Sequence, residues 1–166
     1  MTNDKSVFKY FPQEIEKVLE EELNEKLESL EEIRLRVNRP IIVKLTNGEK
    51  VIKYSINSDE ILNCMQRICE NSIYSYQNEI VSGYVTIKNG HRVGISGSCV
   101  IEDGQIININ YIFSLNFRIA KEIIGSSNNV LNEIINKQIN SVYNSLIVSA
   151  PGARKNNNSK RFDKAN

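Results

Sequence analysis

The chain has 166 residues, of which 25% are charged, 40% are hydrophobic and 7% are aromatic, and its formal net charge is +1. This length is enough for one compact domain with a working core and too short for two full ones. A net charge near zero gives no global attraction to nucleic acid or to an anionic membrane. No apolar run approaches the ~20 residues of a membrane span, and the N-terminus lacks a signal-peptide pattern. Composition therefore argues against a secreted disulfide scaffold, a membrane-spanning protein and a disordered chain.

The three cysteines, Cys64, Cys69 and Cys99, are an odd set without CxxC spacing. They predict reduced thiols that act as small core residues in a cytosolic protein.

The first strong pattern is an acidic helix. Residues 14–32 carry nine Glu and two Lys. Phe11 and Pro12 open the helix, with proline in the first turn where its missing N–H costs nothing. Apolar residues then recur at helical spacing at Ile15, Val18, Leu19, Leu23 and Leu27. The Glu residues are interpreted as a solvated face, and a docking surface is the alternative.

Short β-strand patterns follow. Residues 33–37 alternate apolar and basic side chains, as a half-buried strand does. Residues 41–45 and 50–56 predict two more strands, which Asn47-Gly48 joins as a two-residue hairpin.

Two helices are expected next. Asn57 or Ser58 caps the first, which carries a buried stripe of Ile61, Leu62, Met65, Ile68 and Cys69. A further short helix is expected from Ser72 to Ile80.

The second β region is clearer than the first. Residues 83–87 run into Asn89-Gly90, a type I′ hairpin pattern, and residues 91–101 return. Gly94 and Gly97 inside the returning strand predict a bulge or a close backbone approach. After a turn at Asp103-Gly104, strands are expected at 105–111 and 115–120.

The remaining elements complete the fold class. Ser126 or Ser127 caps a helix with Val130, Leu131, Ile134 and Ile135 on one face, and residues 144–149 read as a buried strand. The chain is therefore predicted to be an α+β protein, mainly antiparallel hairpins packed with helices, with a parallel strand beginning only at residue 144.

That last strand runs into a segment that looks like the entrance to a phosphate-binding loop. Ser149, Pro151, Gly152 and Lys155 stand in the pattern Ser-x-Pro-Gly-x-x-Lys. Such loops expose backbone N–H groups to phosphate, and a Ser or Thr after the Lys holds Mg²⁺. Arg154 replaces the glycine that must turn tightly, and Asn156 replaces the magnesium-binding hydroxyl. The alternative is a basic tail without a role in binding.

Three motifs together resemble the stage III sporulation protein AA family, which is similar to secretion-type hexameric ATPases. The motifs are residues 32–40 (Glu-Ile-Arg-Leu-Arg-x-x-Arg-Pro), residues 83–97 from Gly-Tyr-Val-Thr-Ile to Gly97, and residues 114–120 (Ser-Leu-Asn-x-Arg-Ile-Ala). The resemblance extends to Gly152. It implies the N-terminal part of an ATPase that powers a channel complex linking mother cell and forespore during endospore formation.

The resemblance also implies the setting. It implies ATP and Mg²⁺ as ligands of the full-length family, a hexameric homo-oligomer, sporulation membrane channel proteins as partners, and the mother-cell cytoplasm as location, peripheral to the membrane through those partners. No nucleic-acid partner and no direct membrane insertion are expected. Residues 1–143 are expected to form the N-terminal α+β domain. Residues 144–166 are expected to be a remnant of the entry to an ATPase core: its first strand, a disrupted P-loop and a disordered tail.

A frameshift in an A-rich run explains the departure at Arg154. If Ala153 to Asn166 are written in AT-rich codons and one A is removed, the bases can encode Gly-Lys-Thr-Thr followed by a helical apolar pattern. The hypothesis is a truncated polypeptide that does not hydrolyse ATP, and the gene sequence around codon 154 tests it.

The site prediction therefore has two parts. Ser149, Pro151, Gly152 and Lys155 are a non-functional P-loop remnant, and the resemblance implies that Arg92 and Arg118 lie near nucleotide, because a guanidinium pairs bidentately with phosphate. Arg34 and Arg36 lie on a strand of the same kind. The alternative for all four arginines is an exposed or ion-paired sheet surface. No catalytic residue and no metal ligand are predicted, and His91, the only histidine, is expected to be structural.

Two other functions stay open at this stage. One is a non-enzymatic adaptor or scaffold that binds through the acidic helix or through strand edges. The other is weak nucleic-acid binding through the basic tail and the strand arginines, against which the net charge and the lack of interleaved aromatic and basic residues argue.

Overall fold

We describe a computed structural model of the chain, and the structure describes residues 5–121, 134–136 and 141–144. The chain divides into two compact units, residues 1–120 and 121–166, each described by itself. The predicted boundary near residue 143 stays a prediction.

The first unit alternates short helices with strands. The α-helices are α1 Gln13–Leu23, α2 Ser58–Ile68 and α3 Gln77–Val81. The strands are β1 Leu30–Arg36, β2 Pro40–Leu45, β3 Gly48–Ser55, β4 Tyr84–Thr86, β5 Arg92–Glu102 and β6 Gln105–Arg118. Four 3-10 segments lie at Lys5–Tyr10, Asn24–Ser29, Ile73–Tyr76 and Lys88–Gly90. In the part of the chain that the structure describes, no helix is long and apolar enough to cross a membrane.

All six strands form one antiparallel sheet in the order β3-β2-β1-β6-β5-β4. β1 and β6 are its central pair, with Leu35 opposite Leu115 and Ile33 opposite Phe117. The sheet is antiparallel because hairpins connect most neighbouring strands. The α+β class predicted from the sequence is confirmed.

One face of the sheet carries the hydrophobic core. Alternate residues of β1 and β6, among them Ile33, Leu35, Leu115 and Phe117, are fully buried beneath the helices. Phe11, just before α1, packs against Phe117 with ring centroids 4.5 Å apart. Burial of one face leaves the other open, which is usual for antiparallel sheets.

The helix ends follow local chemistry. The Asn57 side chain accepts the Glu60 backbone N–H, and the Glu60 carboxylate accepts the Asn57 N–H, which forms a capping box for α2. The acidic helix begins one residue after Pro12 and ends at Leu23, short of the predicted Leu27. Its apolar stripe continues in the 3-10 segment, where Leu27 is buried.

Two predicted turns are wrong in detail and one is confirmed. Leu45 pairs with Gly48, so the two turn residues of the β2–β3 hairpin are Thr46 and Asn47 and not the predicted Asn47-Gly48. Neither Thr46 nor Asn47 has a positive φ, so the turn is not of type I′. The turn before β5 is wider than type I′, since the Ile87 N–H donates to the carbonyl of His91 at 2.9 Å. The turn at Asp103-Gly104 has positive φ at both residues, as a type I′ turn requires.

The two last strands predicted for this unit are one bulged strand. β6 pairs Ser114 with Ser96 and Asn110 with Ser98, so three residues of β6, 111–113, lie opposite the single residue Gly97 of β5. The bulge lies over Gly97, where a Cβ would come 2.6 Å from Ile109 Cγ2 and 2.8 Å from the Asn110 carbonyl oxygen. The predicted close approach is confirmed at Gly97. It does not occur at Gly94, where a Cβ would meet Asn116 at an ordinary 3.7 Å.

The second unit is described only in part. Ile135–Asn136 pairs with Ser141–Val142 as a short hairpin, so Ile135 lies in a strand and not in the predicted helix. The rest of that helix before Ile134 and residues 145–149 of the predicted final strand lie outside the described residues.

The cysteine prediction holds for two of three residues. Cys64 and Cys69 are buried and Cys99 is exposed, and all three are free thiols. Burial raises the pKa of Cys64 to about 12 and that of Cys69 to about 11.

Candidate functional site: the arginine face of the sheet

The open face of the sheet gathers the four arginines selected from the sequence. Arg34 and Arg36 project there from β1, Arg92 from β5 and Arg118 from β6, because residues two apart on a strand share a face. We call the surface formed by Arg36, Arg92, Arg118 and Asn116 the arginine face.

Strand register fixes the neighbours. Arg92 is the direct cross-strand partner of Arg118, and Arg118 is in turn opposite Glu32. The next row along the same face places Arg34, Asn116, Gly94 and Tyr84 side by side. Two guanidiniums directly opposite each other repel, so this pairing costs stability unless an anion lies between them.

Arg34 is neutralised within the sheet. Its Nε donates to Glu32, and its Nη1 donates to Glu49 at 2.9 Å. The hydrogen bond to Glu32 raises the pKa of Arg34, with the nearby charges of Glu32 and Glu49 adding to the effect. The Glu32 carboxylate is therefore committed to Arg34 rather than to Arg118.

The other three arginines keep their charge uncompensated. Arg36, Arg92 and Arg118 are exposed, and none forms an ion pair with any residue that the structure describes. The Arg92 guanidinium lies 5.3 Å from the centroid of the Tyr84 ring, a cation–π contact that holds it beside the sheet. The result is a positively charged surface with its guanidiniums directed to solvent.

Asn116 lies in the middle of this surface. Its Oδ1 is buried and has no hydrogen-bond partner among the described residues. Other protein atoms enclose it, although Gly94, its cross-strand neighbour, adds no side chain. A buried polar atom without a partner costs about 1–3 kcal/mol.

The surface suits a phosphate and offers no site for a metal ion. Guanidiniums bind phosphate oxygens through charge-assisted, bidentate hydrogen bonds. Among the described residues, no three His, Cys, Asp or Glu side chains converge to hold a metal ion.

The sequence predictions for this site have mixed outcomes. Arg92 and Arg118 are brought together, and their nearness to nucleotide stays a prediction. Ser149, Pro151, Gly152 and Lys155 lie outside the described residues. Sequence reasoning missed Asn116 and Tyr84, because only strand register places them beside the arginines. His91 is buried and accepts a hydrogen bond on Nδ1, as expected for a structural residue.

The acidic helix behaves largely as a solvated face. Glu20 pairs with Lys5 at 3.0 Å and Glu22 pairs with Lys50 at 2.6 Å, so part of its charge is neutralised locally. A docking role for this helix stays a prediction.

Comparison with known proteins identifies relatives. A family model described as "Sporulation stage III, protein AA" matches residues 1–160. The chain is 31% identical over 141 residues to stage III sporulation protein AA of Bacillus subtilis (strain 168), a match that covers 84% of this chain and 45% of the relative. The chain thus spans about half the length of that relative.

Two solved structures match part of the chain. The match to the Legionella pneumophila ATPase DotB covers 76% of this chain and 35% of the DotB chain, with 14% identity and a TM-score of 0.42. The second is the VirB11 ATPase from the Brucella suis type IV secretion system, solved with sulphate. This match covers 80% of this chain and 39% of the VirB11 chain, with 12% identity and a TM-score of 0.39.

Proposed function

Because the chain belongs to the sporulation stage III protein AA family, we propose that it is the N-terminal module of a secretion-type ATPase and that its arginine face binds the phosphates of ATP. The module itself positions the nucleotide and does not hydrolyse it. ATP, when bound, supplies the anionic phosphates and the bond that an ATPase core cleaves.

One observation carries this proposal. Arg92 and Arg118 lie directly opposite each other with no carboxylate partner among the described residues, while Glu32, which lies opposite Arg118 on β1, is held by Arg34. A sheet that only faced solvent gains nothing from two adjacent, uncompensated guanidiniums. A phosphate between them removes the repulsion and forms charge-assisted hydrogen bonds with both.

Each arginine of the arginine face has its own proposed role in binding phosphate. Arg92, steadied by the Tyr84 ring, and Arg118 hold phosphate oxygens from two strands. Arg36, two rows further along the same face, adds long-range attraction.

The absence of hydrolysis is proposed from the P-loop-like sequence. Phosphoryl transfer depends almost entirely on positioning and on charge stabilisation by Mg²⁺. Arg154 puts a side chain where the loop must turn, and Asn156 lacks the hydroxyl that binds the metal.

The wider setting is proposed from family membership. We place the module in the mother-cell cytoplasm, at the membrane through sporulation channel proteins, within a homo-oligomer of the hexameric kind.

The binding proposal is tested by titrating the 166-residue chain with ATP in isothermal calorimetry at low salt. Removing one charged partner of a phosphate costs about 1.5–3 kcal/mol, so Arg92→Ala or Arg118→Ala should each weaken binding by about tenfold or more. Arg39→Ala is the matched control, because Arg39 is exposed at the β1–β2 turn and lies off this face. Equal losses in all three variants, or no binding by the wild type, would overturn the proposal.

The lack of hydrolysis is tested separately by phosphate release from ATP with Mg²⁺ present. We expect no release above the uncatalysed background. Activity that depends on Mg²⁺ and disappears in Lys155→Ala would refute this part of the proposal while leaving nucleotide binding intact.

A further inference from the structure

The hairpin of β5 and β6 projects beyond the rest of the sheet. β4 pairs with β5 only at residues 92–94, and β1 pairs with β6 only at residues 114–118. We call the two-stranded remainder, residues 96–113, the arm. Its only charged residues are Glu102 and Asp103, at the tip. Lysine and proline, which commonly protect exposed strand edges, are missing from it.

The two edges of the arm differ. On β6, the Ile107 carbonyl accepts a hydrogen bond from Gln77 Nε2 at 3.4 Å, and the Ile109 N–H donates to the Asn108 side chain at 2.9 Å. Gln77, at the start of α3, also donates to Asn108 Oδ1 at 3.1 Å. Side chains therefore occupy the outward backbone groups of β6 at these two residues.

The β5 edge is open. The Ile95 N–H donates to the Gly83 carbonyl at 2.8 Å, which shows that odd-numbered residues of β5 direct their backbone groups to that side. By alternation, Gly97, Cys99 and Ile101 direct theirs outward. No backbone partner for these three occurs outside the β5–β6 ladder within residues 5–121. The Ile101 side chain is 63% exposed.

We propose that this edge binds the same edge of a second copy of the chain, antiparallel and centred on Cys99. The register pairs Cys99 with Cys99 of the partner subunit, Gly97 with its Ile101, and Ser96 with its Glu102. β-Strand addition of this kind derives its affinity from main-chain hydrogen bonds.

The length of the open edge fits a second copy. It runs from residue 96, next to the last β4 contact, to residue 102, before the turn, so it is symmetric about Cys99. In the antiparallel register the turn of each copy reaches the level of residue 95 of the other. Gly83 already bonds to Ile95 there, so the pairing of the two copies ends at Ser96 and Glu102.

Charge also favours a second copy. The central residues 97–101 are uncharged, so two copies pair there without repulsion. Glu102 comes opposite Ser96 of the partner subunit. Arg36 of the partner subunit lies two strands beyond its Ser96, so Glu102 and that arginine are three strand spacings, or about 14 Å, apart. Each acidic tip therefore lies on the same row as the uncompensated Arg36 of the other copy, and the two charges attract each other without a direct ion pair.

Cross-linking at Cys99 tests the pairing in the full 166-residue chain. A short bis-maleimide should link two copies through Cys99, since Cα atoms of directly opposed residues lie about 5.5 Å apart. Cys64 and Cys69 are buried with raised pKa values and should not react. The matched control is Cys99→Ser combined with Lys53→Cys, which moves the thiol to an exposed position on β3, the other edge strand. Cross-linking no faster at Cys99 than at residue 53 would overturn the proposal.

Sedimentation equilibrium supplies a second, independent readout. Ile101→Lys places a charge on the open edge at an exposed position, so it should leave the melting temperature unchanged. It should also weaken dimerisation by at least about tenfold, as lysine does on natural edge strands. A wild-type chain that stays monomeric at all concentrations, or an Ile101→Lys dimer of equal strength, would contradict the pairing.

Discussion

The Nδ1 atom of His91 accepts a 3.0 Å hydrogen bond from the backbone N–H of Ala120, the last residue of the first unit. His91 is 1% exposed and precedes β5, whereas Ala120 follows β6 by two residues. The bond therefore fixes the chain where it leaves the sheet. It requires Nδ1 to be unprotonated, because a protonated ring nitrogen cannot accept.

Substitutions at His91 should separate packing from this hydrogen bond. Asparagine places an acceptor near the position of Nδ1, so His91→Asn should be more stable than His91→Leu by about 1 kcal/mol. Urea unfolding followed by circular dichroism measures both variants. If His91→Leu proved as stable as His91→Asn, the bond to Ala120 would have no energetic role.

The bulge above Gly97 predicts a contrast between two glycines of one strand. Gly97→Ala forces a methyl group against Ile109 and the Asn110 carbonyl, so we expect a loss of about 1–3 kcal/mol of stability. Gly94→Ala meets only ordinary contacts and should change stability by less than about 0.5 kcal/mol. Thermal unfolding of the two single variants tests the contrast, and equal losses would rule out the steric account.

Tyr54 should make the fold sensitive to high pH. Its hydroxyl donates a hydrogen bond to Glu60, and this bond, together with burial, raises the pKa of Tyr54 from 10.0 to about 12. A raised pKa in the folded state means that the bond contributes fully below pH 10. The contribution is then lost as the pH rises from 10 to 12.

The variant Tyr54→Phe isolates that effect. At neutral pH it should be less stable than the wild type by about 1 kcal/mol. The difference should shrink between pH 10 and 12, because the wild type alone loses this bond. Stability curves of the two proteins that stay parallel across this range would show that Tyr54 ionises without affecting the fold.

Glu32 should tune the charge of the arginine face. Glu32→Gln removes the carboxylate that neutralises Arg34 and lies opposite Arg118. We expect phosphate binding to become tighter and its salt dependence steeper, since screening acts on exposed charges. Glu28→Gln, an exposed substitution in the 3-10 segment after α1, is the control. Calorimetric titrations at two salt concentrations test this, and unchanged affinity in Glu32→Gln would contradict it.

Local patterns predicted most elements of the first unit. The apolar alternation at Ile33 and Leu35 and the helical spacing in α1 depend only on one-face burial, which sequence periodicity reports directly. The capping box at Asn57 is likewise local. The exact turn at Thr46 and the continuity of β6 through its bulge depend on cross-strand register, which no short window contains.

The candidate site shows the same limit. Alternation on β1 places Arg34 and Arg36 on one face, so their common side follows from the sequence. The direct opposition of Arg92 and Arg118 requires the pairing of β5 with β6. Glu32 could bond to Arg34 or to Arg118, and it bonds to Arg34. Residue spacing in the sequence predicts neither this bond nor the pairing of β5 with β6.

The hydrogen bonds of Gln77 have a consequence for how far strand pairing can spread. A ribbon with two available borders can recruit neighbours on both sides and grow without limit into a fibre. In the arm, Gln77 engages the β6 side. If the β5 edge pairs with the β5 edge of a second copy as proposed, growth through the arm terminates at two molecules.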